Sequence, residues 1–227
     1  MHVFIQHRLL YYKIKKKEES RRRQNGGEKH PMCSVFYVGE NMIQKMKHLT
    51  QEIDKEAEKV KLERDIHPTD RALILRWGDH KIRLSGMKWG YPVIHGSGVL
   101  INARAESVME KRTFAEGIRY HRAVIPASHF YEWNSKKEKY TFQRKDRSVL
   151  YLAGFFDLID NEECFIILTT EANASMRAVH GRMPLILQED QIEDWLRDGK
   201  VTEEILRQVP MELVRTAKYE QMTLFPM

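Results

Sequence analysis

Residues 121–133 read His-Arg-Ala-Val-Ile-Pro-Ala-Ser-His-Phe-Tyr-Glu-Trp. Two short β-prone runs, 121–125 and 129–133, are separated here by a Pro-Ala-Ser break. The same texture continues through 140–144, 149–156 and 164–169, each rich in β-branched or aromatic side chains. Upstream, 34–38 reads as a strand, and 72–77 with 81–85 reads as a hairpin through Gly78-Asp79. Downstream, Met183 to Leu187 reads as a strand, and the tail from Met211 to Met227 as a strand-like piece with an apolar end. Helices are fewer. The spacing of Met42, Met46, Leu49, Ile53, Ala57 and Val60 predicts one long amphipathic helix over 41–63. Shorter helices are expected over 105–116, 172–178, 188–196 and 202–209, with Thr202 as the N-cap of the last. His67-Pro68-Thr69 marks a turn, and Trp89-Gly90-Tyr91-Pro92 a rigid aromatic loop. These elements predict an α+β fold: a single β-rich domain with a mainly antiparallel, barrel-like sheet and peripheral helices.

The chain has 227 residues and a formal net charge of +6. Residues 1–32 hold nine Lys or Arg against three acids, so the whole excess sits there and the remainder is balanced. A basic groove in the domain must therefore come from placement, not from net charge. The block KIKKKEESRRRQNGGEKHP argues against packed structure, so residues 1–31 are expected to be a disordered basic leader, removed or not translated, ahead of a domain at 32–227. No apolar run approaches 18 residues, so no membrane span is expected. Two cysteines, Cys33 and Cys164, are too few for a disulfide framework and point to a reducing cytoplasm.

Four places stand out by residue type. Cys33 opens the domain. Asn102, Arg104 and Glu106 interrupt the end of an apolar stretch. Glu132 lies among Phe130, Tyr131 and Trp133, where a carboxylate is costly to ionise unless paired, so its pKa is expected to rise. His180 lies beside Gly181 and Arg182 in a tightly shaped turn. Each also has a plain structural account: Cys33 as buried filler, Glu132 paired with Arg122 or Arg182, His180 as a core histidine, Asn102 as a helix cap. No ligand spacing of the usual kind indicates a metal.

In order the chain carries Met32-Cys33, K-W-G-Y-P at 88–92, N-A-R-A-E at 102–106, I-P-A-x-x-F-Y-E-W at 125–133, L-A-G-F-F-D at 152–157, I-L-T-T-x-A-N at 167–173 and H-G-R-M-P-L-I-L at 180–187. This ordered set, over about residues 32–190, resembles the SOS-response-associated peptidase family, the abasic-site DNA–protein crosslink proteins. The resemblance implies that Cys33 becomes residue one and joins covalently to an abasic site in single-stranded DNA. It implies catalytic roles for Cys33, Asn102, Glu132 and His180, and DNA contacts from Arg104, Arg182 and Trp89, the last as a wall that meets the bases. It implies no cofactor, no metal, a monomer and a DNA partner. The chain departs from the family at Ser34-Val35, where Gly-Arg is usual, and at Ala123 and His129, where Cys and Gly are frequent. The missing arginine removes a phosphate contact.

The chemistry explains a cysteine at residue one. An α-amine has a reference pKa of about 7.7–8.0, against about 10.4 for lysine, so a useful fraction is unprotonated near neutrality. It can add to the aldehyde of an abasic sugar, and the thiol of the same residue can then close a five-membered ring. Two other accounts remain: a thiol peptidase using Cys33 and His180 that removes its own leader, or a non-covalent single-stranded DNA-binding module.

Overall fold

The computed structural model describes residues 33–93, 98–197 and 199–217. The expectations for residues 1–31 and for the apolar end of the tail lie outside the described residues. The elements run β1 (Val35–Val38), α1 (Met42–Met46), β2 (Glu52–Ile53), α2 (Lys55–Glu58), β3 (Arg64–Ile66), β4 (Arg71–Gly78), β5 (Lys81–Trp89), β6 (Tyr91–Pro92), β7 (Val99–Leu100) and β8 (Asn102–Arg104). A 3-10 turn at Ala105–Ser107 leads to α3 (Ala115–Tyr120), β9 (Arg122–Ala127), β10 (His129–Trp133), β11 (Lys139–Gln143), β12 (Leu150–Ile159) and β13 (Glu162–Glu171). The chain ends with α4 (Ala174–Arg177), β14 (Arg182–Pro184), β15 (Ile186–Leu187), a 3-10 turn at Glu189–Gln191, α5 (Ile192–Arg197), α6 (Thr202–Arg207) and β16 (Val214–Ala217).

The strands form the expected α+β architecture. The larger sheet follows the order β14-β13-β12-β9-β4-β5-β2, with β15 on β12 and β8 on β13. A parallel pairing of β5 with β13, Lys88 opposite Cys164 and Trp89 opposite Phe165, joins the strands next to the two ends of this path. The ring β13-β12-β9-β4-β5 is thereby closed, which removes its exposed edges. A smaller antiparallel sheet runs β16-β11-β10-β1-β3. Only Ser128 separates β9 in the larger sheet from β10 in the smaller one, and its N–H donates to Tyr37 O at 2.9 Å. The hairpin β4–β5 turns on Asp79-His80, both at positive φ (51° and 61°), with Gly78 opposite Lys81. That is the two-residue turn whose twist suits adjoining strands.

The single helix expected over 41–63 is replaced by α1, β2 and α2. The same apolar residues are still used: Met42, Met46, Ala57 and Val60 are buried. What breaks the helix is non-local pairing. Gln51 N–H donates to Ile82 O at 3.0 Å, and Glu52–Ile53 pairs in parallel with Arg83 and Leu84. Asp54 then restarts the helix, accepting from Ala57 N–H at 2.8 Å. The helix expected over 105–116 is a series of turns that becomes helical only at Ala115, although Ala105, Val108 and Phe114 remain buried. The N-cap of α6 is Val201, and Thr202 is its first residue, buried against the core.

Gly86 on β5 shows how closely α2 seats on the barrel. A Cβ there would lie 2.2 Å from Glu56 O, a backbone atom. Gly86→Ala is expected to cost about 1–3 kcal/mol by overpacking, measured as a lower urea midpoint with an unchanged m-value. Gly181→Ala, which meets open space, is the matched control and should stay close to wild type.

Candidate functional site

Cys33 stands two residues before the start of β1, and β1 pairs antiparallel with β10, Val35 opposite Tyr131. This register brings the start of β1 to the end of β10, where Glu132 lies. The contact is direct: Cys33 N–H donates to Glu132 Oε2 at 2.8 Å, across 99 residues of sequence. Cys33 is fully buried and Glu132 is 3% exposed. Glu132 Oε1 also accepts from the Trp133 N–H at 3.3 Å. Cys33 adopts φ +46°, in the left-handed region that a side chain with a Cβ enters at a cost. Burial and then the negative charge of Glu132 push the Cys33 thiol well above its ordinary value. That is the reverse of an activated thiolate, which needs a nearby positive charge.

A second group gathers on β13. The short strand β8 lies parallel to it, with Asn102 opposite Ile167 and Arg104 opposite Thr169, while β14 pairs on it with Arg182 opposite Glu171. Asn102 is half-buried and Arg104 exposed. His180 follows α4, and its Nδ1 accepts the Arg182 N–H at 3.0 Å. Nδ1 also lies 3.3 Å from Arg182 O, so the Arg182 backbone anchors this edge of the ring and leaves Nε2 on the other. Arg182 makes a bidentate pair with Glu106 at 2.6 and 2.9 Å and donates to Thr169 O at 2.6 Å. Its guanidinium therefore ties the His180 turn to the segment after Arg104. A cation already paired with a carboxylate adds little net charge for a phosphate. Glu106 was legible as one acid beside N-A-R; that it meets Arg182 across 76 residues was not.

Trp89 is not a wall facing outward. It is fully buried, its Nε1–H donates to Ile101 O at 3.1 Å, and its ring packs on Phe36 (5.0 Å) and Phe165 (6.1 Å). Its neighbours Gly90, Tyr91 and Pro92 suggested a loop, but Trp89 itself is the last residue of β5, at the barrel-closing pair. It joins the element before Asn102 to the strand after Cys33. Arg122, weighed as a partner for Glu132, donates to Ile118 O and Arg119 O at 3.1 and 2.6 Å. Among the described residues no three His, Cys, Asp or Glu side chains gather as a metal site would need.

The Glu106–Arg182 clamp is testable by pH. Burial alone would raise the Glu106 carboxyl, but hydrogen bonding and charge from Arg182 outweigh it and the net shift is downward from 4.5. A depressed carboxylate contributes stability above its unfolded pKa and loses it as pH falls through its folded pKa. The melting temperature of wild type should exceed that of Glu106→Gln at pH 7, and the gap should shrink as pH falls below 4.5.

A model of the SOS response associated peptidase (SRAP) family matches residues 32–227. The chain is 30% identical over 152 residues to the abasic site processing protein YedK of Escherichia coli, covering 62% of this chain and 68% of that protein. It is 31% identical over 142 residues to YoaM of Bacillus subtilis, also named an abasic site processing protein, covering 59% and 60%. Among solved structures, a Bacteroides thetaiotaomicron protein superimposes with a TM-score of 0.69 at 22% identity, covering 82% of this chain and 91% of that one. A phage-related protein of Bordetella bronchiseptica gives 0.66 at 23%, covering 82% and 93%. These two structures share the fold.

Proposed function

The chain belongs to the SOS response associated peptidase family, and from that premise we propose that it repairs DNA by capturing abasic sites in single strands through Cys33. The observation that carries the proposal is the buried contact between the Cys33 nitrogen and Glu132 Oε2 at 2.8 Å. It puts an acid–base group on the one atom that becomes the α-amine when the chain starts at Cys33. The names of the relatives, abasic site processing proteins, support the same substrate.

The proposed reaction proceeds in two additions. The amine attacks the aldehyde carbon of the ring-opened abasic sugar, and loss of water gives an imine. The Cys33 Sγ–H then adds across that C=N bond: sulfur joins the carbon and the proton ends on nitrogen, closing a thiazolidine. One water is released overall. Glu132 accepts the proton from the attacking amine and returns it to the departing oxygen. His180, with its Nδ1 occupied by the Arg182 N–H, is assigned proton transfer at the sugar through Nε2. Asn102 orients the amine, and the exposed Arg104 takes a flanking phosphate. Proximity within one residue can be worth roughly 7–11 kcal/mol of barrier in favourable cases. The raised thiol explains the order of events, because the amine and not a thiolate leads. A reducing, DNA-containing compartment suits the two free cysteines.

One further observation favours self-cleavage as the source of the amine. Glu132 sits on the nitrogen of the 32–33 peptide bond, which is the leaving atom if that bond is cut. In that step Cys33 Sγ–H gives its proton to Glu132 as sulfur attacks the carbonyl of residue 32, the C–N bond breaks as the nitrogen takes that proton from Glu132, and water hydrolyses the thioester. A thiol peptidase acting in trans is disfavoured by the full burial of Cys33.

The test uses protein beginning at Cys33 with an abasic single-stranded oligonucleotide and a denaturing gel. A heat-stable adduct is expected from wild type, none from Cys33→Ala, and a rate reduced by about 100-fold or more from Glu132→Gln, the scale of a lost acid–base group. Protein with residue 32 still joined should give no adduct. A wild-type yield from Cys33→Ala overturns the proposal.

A further inference from the structure

An anionic strand reaching Cys33 needs a cation nearby, and β1 provides none. Ser34 leads into it, and its residues are Val35, Phe36, Tyr37 and Val38. The register of the smaller sheet shows where a cation comes from instead. Val35 faces Tyr131 on β10, and Trp133, the last residue of β10, faces Lys139 on β11. The Lys139 side chain leans from that position over both rings: its Nζ is 3.4 Å from the Tyr131 centroid and 5.8 Å from that of Trp133. Tyr131 and Trp133 flank Glu132, the residue bonded to the Cys33 nitrogen. Alternation turns Glu132 inward and the two rings outward, at the end of the sheet where Cys33 enters β1.

Two features separate Lys139 from an ordinary surface lysine. First, the side chain lies over two aromatic rings at once, a setting that no other described lysine has, and among the described residues it makes no ion pair there. Second, aromatic rings fix its position without neutralising it, so its N–H groups stay available to an acceptor. The Tyr131 hydroxyl, raised to about 12 by burial and then by Asp65, keeps that ring uncharged. Lys136 and Lys137 in the β10–β11 turn add positive charge on the same edge, while Glu138 is held by Asn134 at 2.5 Å.

Resting on the capture of abasic DNA argued above, we propose that Lys139, poised over Tyr131 and Trp133, binds the DNA phosphate next to the captured nucleotide. It supplies from β11 the charge that Val35 does not supply from β1. A lysine held in this way binds as a point charge and reads no base, so it strengthens capture on every sequence equally.

The experiment compares wild type, Lys139→Ala, Lys139→Arg and the exposed-lysine control Lys55→Ala, each beginning at Cys33. Binding to an intact single-stranded oligonucleotide is measured as a function of salt. Loss of one phosphate contact makes the slope of log K against log salt less negative by about 0.7. Wild type should therefore lose about 2.6-fold more affinity than Lys139→Ala over a fourfold rise in salt. Lys139→Arg and Lys55→Ala should keep the wild-type slope. Adduct formation by wild type with saturating abasic DNA is read in parallel, as the separate check on capture itself. An unchanged slope in Lys139→Ala, or an equal change in Lys55→Ala, overturns the inference while a normal adduct leaves capture intact. An absent adduct in wild type refutes capture, and the inference with it, whatever the slopes.

Discussion

The parallel pairing of Lys88–Trp89 with Cys164–Phe165 is the constraint on which the architecture turns. Without it the larger sheet is an open path with two edges; with it five strands form a ring around one core. The same pair places Trp89 inside, where its ring meets Phe36 of β1 and its Nε1–H meets Ile101 O. From there Ile101 leads directly into Asn102, and Phe36 lies three residues after Cys33. Closure of the barrel and placement of the candidate site are thus the same structural event.

The two halves of the site rest on different supports. Cys33 and Glu132 depend on the antiparallel register of β1 with β10. Asn102, Arg104, His180 and Arg182 depend on β13, which pairs with β8 and β14 at its C-terminal end. The Glu106–Arg182 pair then clamps the His180 turn to the segment that follows β8. With Glu106 nearly half-exposed such a pair contributes modest stability; its value is geometric, because it holds a hydrogen-bonded turn against a strand.

Strand positions were legible because alternation and β-branched composition act locally, and β9 through β13 lie close to where the sequence puts them. The helix expected over 41–63 was not, although every apolar position in it packs inward. Its three- and four-residue spacing satisfies a helix, but the backbone of Gln51 to Ile53 finds partners on β5, and no local pattern encodes a partner 31 residues away. Trp89 misled for a related reason. Its neighbours Gly90 and Pro92 spell a loop, whereas its burial follows from pairing with β13, far along the chain. Glu132 beside Cys33 could be suspected from residue type and motif order, but the 2.8 Å contact is a product of sheet register. The same holds for Lys139, whose setting over two rings exists only because β11 folds back on β10.

The central claim is that the nitrogen and sulfur of Cys33 both join the abasic sugar. The direct measurement is mass spectrometry of the adduct after nuclease and protease digestion, without added reductant. The account predicts a peptide whose first residue is Cys33, carrying the abasic sugar with loss of one water and no borohydride requirement. A sugar on a lysine side chain, or on a peptide in which Cys33 is still joined to Met32, would contradict it.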